Sequence, residues 1–205
     1  MRFIIKTLIF LSLTMTAGQA GEDKKKETTP PLPEISIGKP EAPVLIIDYS
    51  SLTCNHCAHF YLDVLPEIQK KYIEPGYVRV IFRDFPGDKV SLEAHQIAWC
   101  KGEIKYLDFV KLLYSTQEKW LSAADPIATL KSIVTQNGIS AEQFDAALKN
   151  QELLDKIVSA RLEGQKKYKI DATPTIVINA KIHKKALSLQ EVDDILKPIL
   201  DKEKE

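Results

Sequence analysis

Cysteine is scarce in this chain, and its distribution is uneven. Three of the 205 residues are cysteines: Cys54 and Cys57 form one CxxC motif, and Cys100 stands alone. A structural zinc site usually needs four ligands, and no second CxxC is present to supply the other pair. The remaining candidates are four histidines scattered along the chain, so the pattern argues against a metal site.

An excess of charge is also missing. Lys and Arg together number 28, as do Asp and Glu, so the formal net charge is zero. The sequence contains no basic stripe interleaved with aromatic residues, which is a usual signature of a nucleic-acid-binding surface. The chain therefore gives no reason to expect a nucleic acid as partner.

Long hydrophobic runs are lacking as well. Residues 7–17 are uncharged and mostly apolar, but this stretch is shorter than the ~20 residues that a membrane-spanning helix needs. Arg2 and Lys6 precede it and small residues at 18–20 offer a cleavage site, so residues 1–20 are predicted to be a signal peptide. An uncleaved membrane anchor is the alternative. Export would place the mature chain, whose net charge is −2, where disulfides can form and persist.

The informative feature of the sequence is the segment 54–57, which reads Cys-Asn-His-Cys. It follows an apolar run at 44–47 and opens a segment of helical periodicity, so both cysteines are predicted to lie in the first turn of a helix. Free backbone N–H groups and the positive end of the helix dipole stabilise a thiolate there, which should lower the pKa of Cys54. Cys57 lies one turn further on, close enough to form a small, easily reduced disulfide ring with Cys54.

Two other uses of the cysteine pair remain open at this stage. Soft thiolates favour copper(I), so the pair could bind that ion. The disulfide could also be purely structural. Redox chemistry is favoured over both because a strand delivers the motif directly to a helix start.

The hydrophobic periodicity predicts a single α/β domain at residues 35–205. Residues 21–34 are charged and rich in proline, so they are predicted to be a disordered lead-in. The predicted strands are an edge strand at 35–37, central strands at 44–49, 77–82 and 175–178, and a hairpin partner at about 182–186. The predicted helices are 54–72, kinked at Pro66, a helical insert at about 90–167, and a terminal helix from Leu189.

Thr173-Pro174 directly precedes the predicted strand at 175–178. X-Pro bonds in folded proteins are cis in about 5–6% of cases, but a proline that leads into a strand beside the CxxC raises that expectation. A cis proline facing the disulfide would leave the backbone of Thr173 free to pair with an extended substrate. Thr173 and Pro174 are therefore predicted to bind substrate.

These motifs together resemble the DsbA-like periplasmic thiol–disulfide oxidoreductases, a family with the thioredoxin fold. The resemblance rests on the CxxC, on Thr173-Pro174, on the segment 83–86 (Arg-Asp-Phe-Pro), on the helical block and on the signal. It covers nearly the whole mature chain and implies a thioredoxin-like fold with a helical insertion. Asn55 departs from the pattern, because the best-known members carry proline there, and Ala180 stands where many relatives have glycine.

The resemblance also implies an activity and partners. The protein is expected to introduce disulfides into reduced exported proteins in the periplasm, with Cys54 as the exposed reactive sulfur and Cys57 as its buried partner. A membrane-bound, quinone-linked protein is expected to restore the Cys54–Cys57 disulfide, and no cofactor is expected. A disulfide isomerase or reductase is the alternative enzyme, and a copper(I)-binding module is the alternative from another class.

Three further side chains carry predictions. The imidazole of His56 is predicted to donate to the Cys54 thiolate or pair with it, against the alternative of a solvent-exposed residue. Asp48 lies on an otherwise apolar strand, and by resemblance it shuttles protons for the buried cysteine; an exposed position is the alternative. Cys100 is predicted to be a buried, inert thiol on one helical face with Ile97 and Ile104, rather than a regulatory or intermolecular thiol.

The protein is also predicted to be a monomer. Isomerases benefit from several active sites that face a shared cleft, which requires an oligomerisation segment. The lead-in at 21–34 carries three prolines and no heptad, and an isolated helix shorter than about 12–15 residues is marginal in water.

Overall fold

The computed structural model describes residues 31–202. The predicted signal peptide and residues 21–30 of the predicted lead-in lie outside this range. Among the described residues, no helix combines the length and apolar character needed to cross a membrane.

A five-stranded mixed sheet forms the centre of the fold. Its strands are β1 (Ile35–Ile37), β2 (Val44–Ser50), β3 (Val78–Asp84), β4 (Thr175–Ile178) and β5 (Lys181–His183). The spatial order is β1-β3-β2-β4-β5, in which β2 and β3 are parallel and every other neighbouring pair is antiparallel. The predicted edge strand, central strands and hairpin partner are all present, although β5 is shorter than expected.

The first helix, α1, follows β2 and runs without interruption from the CxxC towards β3. It consists of α-helical segments Asn55–His59 and Leu65–Ile68, each followed by a π-helical segment, Phe60–Val64 and Gln69–Ile73. Pro66 has no N–H, and its ring crowds the preceding turn. The turn before it widens, so that the N–H of Leu65 donates to the carbonyl of Phe60, five residues back.

The helical block between β3 and β4 extends from Lys89 to Tyr168, as the sequence predicts. Its helices are α2 (Lys89–Ala98), a 3₁₀ turn (Trp99–Lys101), α3 (Glu103–Ser115), α4 (Gln117–Leu121), α5 (Pro126–Thr135), α6 (Ala141–Lys149) and α7 (Gln151–Tyr168); α8 (Leu189–Lys202) closes the chain. Asp125 caps α5 ahead of a proline, and Ser140 and Gln143 form a capping box at the start of α6. Asp88 caps the start of α2 by accepting the N–H of Ser91.

The end of the predicted lead-in is attached to the sheet. Glu34 accepts from Arg79 at 2.8 Å and from Arg83 at 2.9 Å, both on β3, and Leu32 packs against the core. The boundary predicted at residue 34 is therefore too late, because charge pairing with an adjacent strand fixes a segment that composition alone marks as solvated.

Helix α7 crosses the sheet at close range. A methyl group in place of the hydrogen of Gly164 would lie 2.5 Å from a ring carbon of Tyr49 on β2. Only glycine therefore allows this approach. The contact places α7 on the sheet beside the ring of Phe85, which also packs edge-on against Tyr49.

Candidate functional site

Cys54 occupies the N-cap of α1. Its backbone is extended (φ −90°, ψ 117°), and its Sγ accepts the N–H of Cys57 at 3.4 Å. The pKa of Cys54 is lowered from 9.0 to about 6, chiefly because the thiol of Cys57 donates to its sulfur; burial opposes this, and the backbone N–H groups of Cys57 and His56 assist it. Cys54 therefore lies at the helix start, where the sequence predicts a stabilised thiolate.

Cys57 differs sharply from its neighbour in the motif. Its side chain is 0% exposed, whereas Cys54 is only half-buried. Burial raises the pKa of Cys57, and the hydrogen bond to Cys54 and the charge of Asp48 raise it further. Cys54 and Cys57 are free thiols in this structure, and of the two, the half-buried Cys54 favours the thiolate whereas the buried Cys57 favours the protonated form.

Residues 173 and 174, just before β4, lie beside the CxxC motif. The Thr173–Pro174 peptide is cis, as predicted. The thiol of Cys54 lies 3.4 Å from the carbonyl oxygen of Thr173, to which it donates when protonated. Thr173 and Pro174 therefore lie against the reactive sulfur, although 119 residues separate them from it in sequence.

Asp48 lies in the middle of the sheet, on β2. On β2 it is in register with Phe82 of β3 and Ile176 of β4, and it is 1% exposed. Burial raises the pKa of Asp48 from 3.8 to about 7, although the hydroxyl of Ser50 donates to it at 2.5 Å and favours the charged form. The alternative of an exposed Asp48 is excluded.

The imidazole of His56 takes no visible part in this arrangement. Its side chain is exposed, and among residues 31–202 no hydrogen bond joins it to the sulfur of Cys54. What His56 contributes is its backbone N–H, which favours the thiolate. Its position in the first helical turn explains this, because that turn directs N–H groups towards the sulfur and side chains outwards.

The helical block holds the loop that carries Cys54, a function that sequence reasoning missed. The side-chain amide of Gln117 on α4 donates to the carbonyl of Leu52 at 2.8 Å and to that of Cys54 at 3.1 Å. Tyr114 on α3 donates to the carbonyl of Ser51 at 3.3 Å. A buried glutamine between helices gives no signal in a single sequence, so only the fold reveals this contact.

A second buried carboxylate lies at the end of β3 and was also missed. Asp84 accepts from the indole N–H of Trp99 at 2.7 Å and from the hydroxyl of Tyr106, and Nδ1 of His95 lies 2.8 Å away. Burial alone would raise the pKa of Asp84, but the charge of His95 and these hydrogen bonds outweigh it and hold the pKa below 3.8. Asp84 is the aspartate of the Arg-Asp-Phe-Pro segment at 83–86.

Cys100 does not occupy the predicted helical face. Gly102, with φ +74°, ends the 3₁₀ turn and starts α3 in a new direction. Ile97 is consequently buried, but Ile104 is 91% exposed. Cys100 is half-buried rather than buried, and its thiol donates to the carbonyl of Gln143 on α6 at 3.4 Å.

The comparisons with known proteins agree with this geometry. Residues 32–198 match the family model described as Thioredoxin. The chain is 27% identical over 147 residues to a Rickettsia typhi protein with the provisional name protein-disulfide oxidoreductase, covering 71% of this chain and 54% of that protein. It is 24% identical over 175 residues to disulfide bond formation protein D of Bacillus subtilis, covering 78% of this chain and 74% of that protein. The chain thus spans little more than half the length of the Rickettsia relative.

Solved structures give the same result. The crystal structure of Wolbachia pipientis alpha-DsbA1 is similar with a TM-score of 0.74 and 29% identity, covering 83% of this chain and 94% of that chain. The oxidised structure of BdbD from Bacillus subtilis gives a TM-score of 0.69 and 25% identity, covering 82% and 93%. The chain belongs to the thioredoxin family, and DsbA proteins are among the solved structures to which it is similar.

Proposed function

We propose that this protein is a thiol–disulfide oxidase that transfers the Cys54–Cys57 disulfide to substrate proteins. The observation that carries the proposal is the contrast within the motif. Cys54 has a pKa lowered to about 6, while burial keeps Cys57 protonated. A stabilised thiolate at Cys54 favours the reduced form of the pair, which makes the disulfide a stronger oxidant.

The proposed reaction proceeds through a mixed disulfide. A substrate thiolate attacks Sγ of Cys54, the Cys54–Cys57 bond breaks, and the sulfur of Cys57 leaves as a thiolate that takes up a proton. Asp48 is proposed to supply that proton, since its pKa near 7 allows it to hold or release one under ordinary conditions. A second substrate thiolate then attacks the substrate sulfur of the mixed disulfide and releases Cys54 as a thiolate.

Thr173 and Pro174 are proposed to hold the substrate segment during this attack. The carbonyl of Thr173 faces the sulfur of Cys54, so a chain that lies along residues 172–174 would pass over the reactive atom. Backbone pairing of this kind is largely independent of sequence. It would suit an enzyme that acts on many unfolded proteins.

The main test uses the oxidised protein and a reduced dithiol peptide. Mixing them in equal amounts should yield oxidised peptide and reduced enzyme nearly to completion, and the reaction should stop after one turnover without an added oxidant. The Cys57→Ser variant, which cannot form the Cys54–Cys57 disulfide, should instead become joined to the peptide through Cys54 when it is mixed with the disulfide form of the peptide, because no Cys57 thiol is present to release it. An equilibrium that leaves most of the peptide reduced would contradict the oxidase proposal and favour a reductase.

Location, assembly and reoxidation are proposed from the sequence. Residues 1–20 are proposed to direct export to the periplasm, which a reporter enzyme that is active only outside the cytosol would test when fused to them. The mature protein is proposed to be a monomer, which light scattering would test. A membrane-bound, quinone-linked oxidant is proposed to restore the disulfide; reoxidation by membranes that persists after quinone extraction would contradict this.

A further inference from the structure

A small cavity, whose walls are mostly apolar but include several polar side chains, lies between the active-site sheet and the helical block. Its volume is about 20 Å³, and its lining includes Asp48 and Ser50 from β2, Asp84 from β3 and His95 from α2. A cavity needs roughly 10–15 Å³ and several polar partners to hold a water molecule. This cavity is large enough for one water molecule, and carboxyl, hydroxyl and imidazole side chains are among those that line it.

The imidazole of His95 supplies the second observation. The side chains of His95 and Asp84 are each 3% exposed. Nδ1 of His95 lies at ion-pair distance from Asp84 but is not aligned for a hydrogen bond, and Nε2 has no hydrogen-bond partner within residues 31–202. A buried polar nitrogen without a partner loses the hydrogen bond that it would make in water, so this position favours a small polar ligand beside the ring.

Water fits this site whichever charge the imidazole carries. A protonated ring presents Nε2–H as a donor, whereas a neutral ring protonated on Nδ1 presents Nε2 as an acceptor. A water molecule can accept from the first and donate to the second. It can also exchange a hydrogen bond with the carboxyl group of Asp48, which lines the same cavity.

We propose that this cavity binds a water molecule that joins Nε2 of His95 to the carboxyl group of Asp48. His95, held by Asp84, thereby acts as a positioning residue that orients the proton of Asp48. The proposal rests on the proposed function only for its effect on turnover, because the water site exists independently of any substrate. The other titratable or charged groups that line the cavity or face Asp48 are Cys54, Cys57, Tyr61, Arg83, Tyr106 and Tyr114.

The first experiment looks for the water in the unaltered, reduced protein. Magnetisation transfer from water to the ring protons of His95, measured by NMR on histidine-labelled protein, should show a long-lived bound water. The exposed ring of His59 serves as an internal reference, because it should show only rapidly exchanging solvent. A His95 ring that shows no long-lived water contact would overturn the proposal.

The second experiment measures the titration of Asp48 in protein labelled at the aspartate carboxyl carbons. Replacing His95 by Phe should change the midpoint for Asp48 by about half to one pH unit, the equivalent of one lost hydrogen bond. His95→Gln, which keeps a hydrogen-bonding group, should retain most of the original midpoint and also serves if His95→Phe does not fold. His59→Gln is the matched control, since it removes an exposed histidine paired with Asp63.

The two failures are distinguishable. An unchanged Asp48 midpoint in both His95 variants would overturn the positioning role even if dithiol peptides are oxidised normally. Failure of the wild-type protein to oxidise a dithiol peptide would instead overturn the proposed function and leave the water site standing. A shifted midpoint together with a slowed release of Cys57 would support both.

Discussion

The N–H of Cys57 points at the sulfur of Cys54 over 3.4 Å, so the buried cysteine of the motif stabilises the exposed one before any substrate arrives. The contact runs within one helical turn and needs no other element. Of the two thiols, Cys54 therefore ionises readily, whereas Cys57 stays protonated.

Cys54 is expected to titrate with a midpoint of about 6, well below an ordinary thiol, because helix N–H groups and the Cys57 thiol stabilise its thiolate. Ultraviolet thiolate absorbance of the reduced protein would measure this midpoint. The transition should disappear in Cys54→Ser and persist in Cys100→Ser. A midpoint near 9 in the wild-type protein would contradict the assignment.

His56→Ala is expected to raise the pKa of Cys54 by less than about half a pH unit, because the exposed imidazole makes no hydrogen bond to the sulfur and the backbone N–H remains. Thiolate absorbance of the variant beside the wild type would measure the difference. A rise of one unit or more would instead support the imidazole–thiolate pairing that the sequence predicts.

Asp48→Asn is expected to slow peptide oxidation and to flatten its pH dependence near 7, because the carboxyl whose pKa lies there is removed. Stopped-flow rates across that pH range would measure both effects. Ser50→Ala, which removes only the hydroxyl that donates to Asp48, should keep the pH dependence and shift it to higher pH. An unchanged profile in Asp48→Asn would exclude Asp48 from proton transfer.

The same substitution is expected to stabilise the reduced protein at alkaline pH. With a pKa raised from 3.8 to about 7, folded Asp48 holds a proton that the unfolded chain has released, so stability is lost as pH rises through this window. Asparagine carries no such penalty, and the gain at pH values above 7 is expected to reach at most about 4 kcal/mol. Denaturant unfolding of wild type and variant at acidic and alkaline pH would measure this gain in stability. A gain of the same size at both pH values would contradict the raised pKa.

Asp84→Asn is expected to destabilise the fold by about 3–5 kcal/mol, because it leaves His95 buried without its charge partner. The pKa of Asp84 is lowered in the folded protein, so the charged carboxylate stabilises the fold. This stabilisation is fully present above the ordinary aspartate pKa near 4, and it is lost as the pH falls through the lower pKa of the folded state. Urea unfolding at neutral and acidic pH would show a smaller difference between variant and wild type in acid. Asp88→Asn, at an exposed helix cap, provides a milder control.

Much of the fold follows from local sequence patterns. The alternation in β3 and the apolar run of β2 fix two central strands, while Asp125-Pro126 and the Ser140–Gln143 box fix helix starts. These signals depend on backbone geometry within a few residues, so a single sequence carries them. The same is true of Cys54, whose thiolate position depends on the turn that the motif itself begins.

Only the tertiary structure decides what surrounds that turn. Gln117 reaches the loop of Cys54 from 63 residues away, and Asp84 and His95 meet because β3 and α2 pack together. Buried polar pairs of this kind have no periodicity, and their partners are chosen by packing between elements. The sequence by itself therefore determined the redox motif and the helix that activates it. The sheet decided that Thr173 would face the sulfur of Cys54 and that Asp48 would be buried beneath that sulfur. Neither could be read from local sequence, because burial depends on neighbours that are distant in the chain.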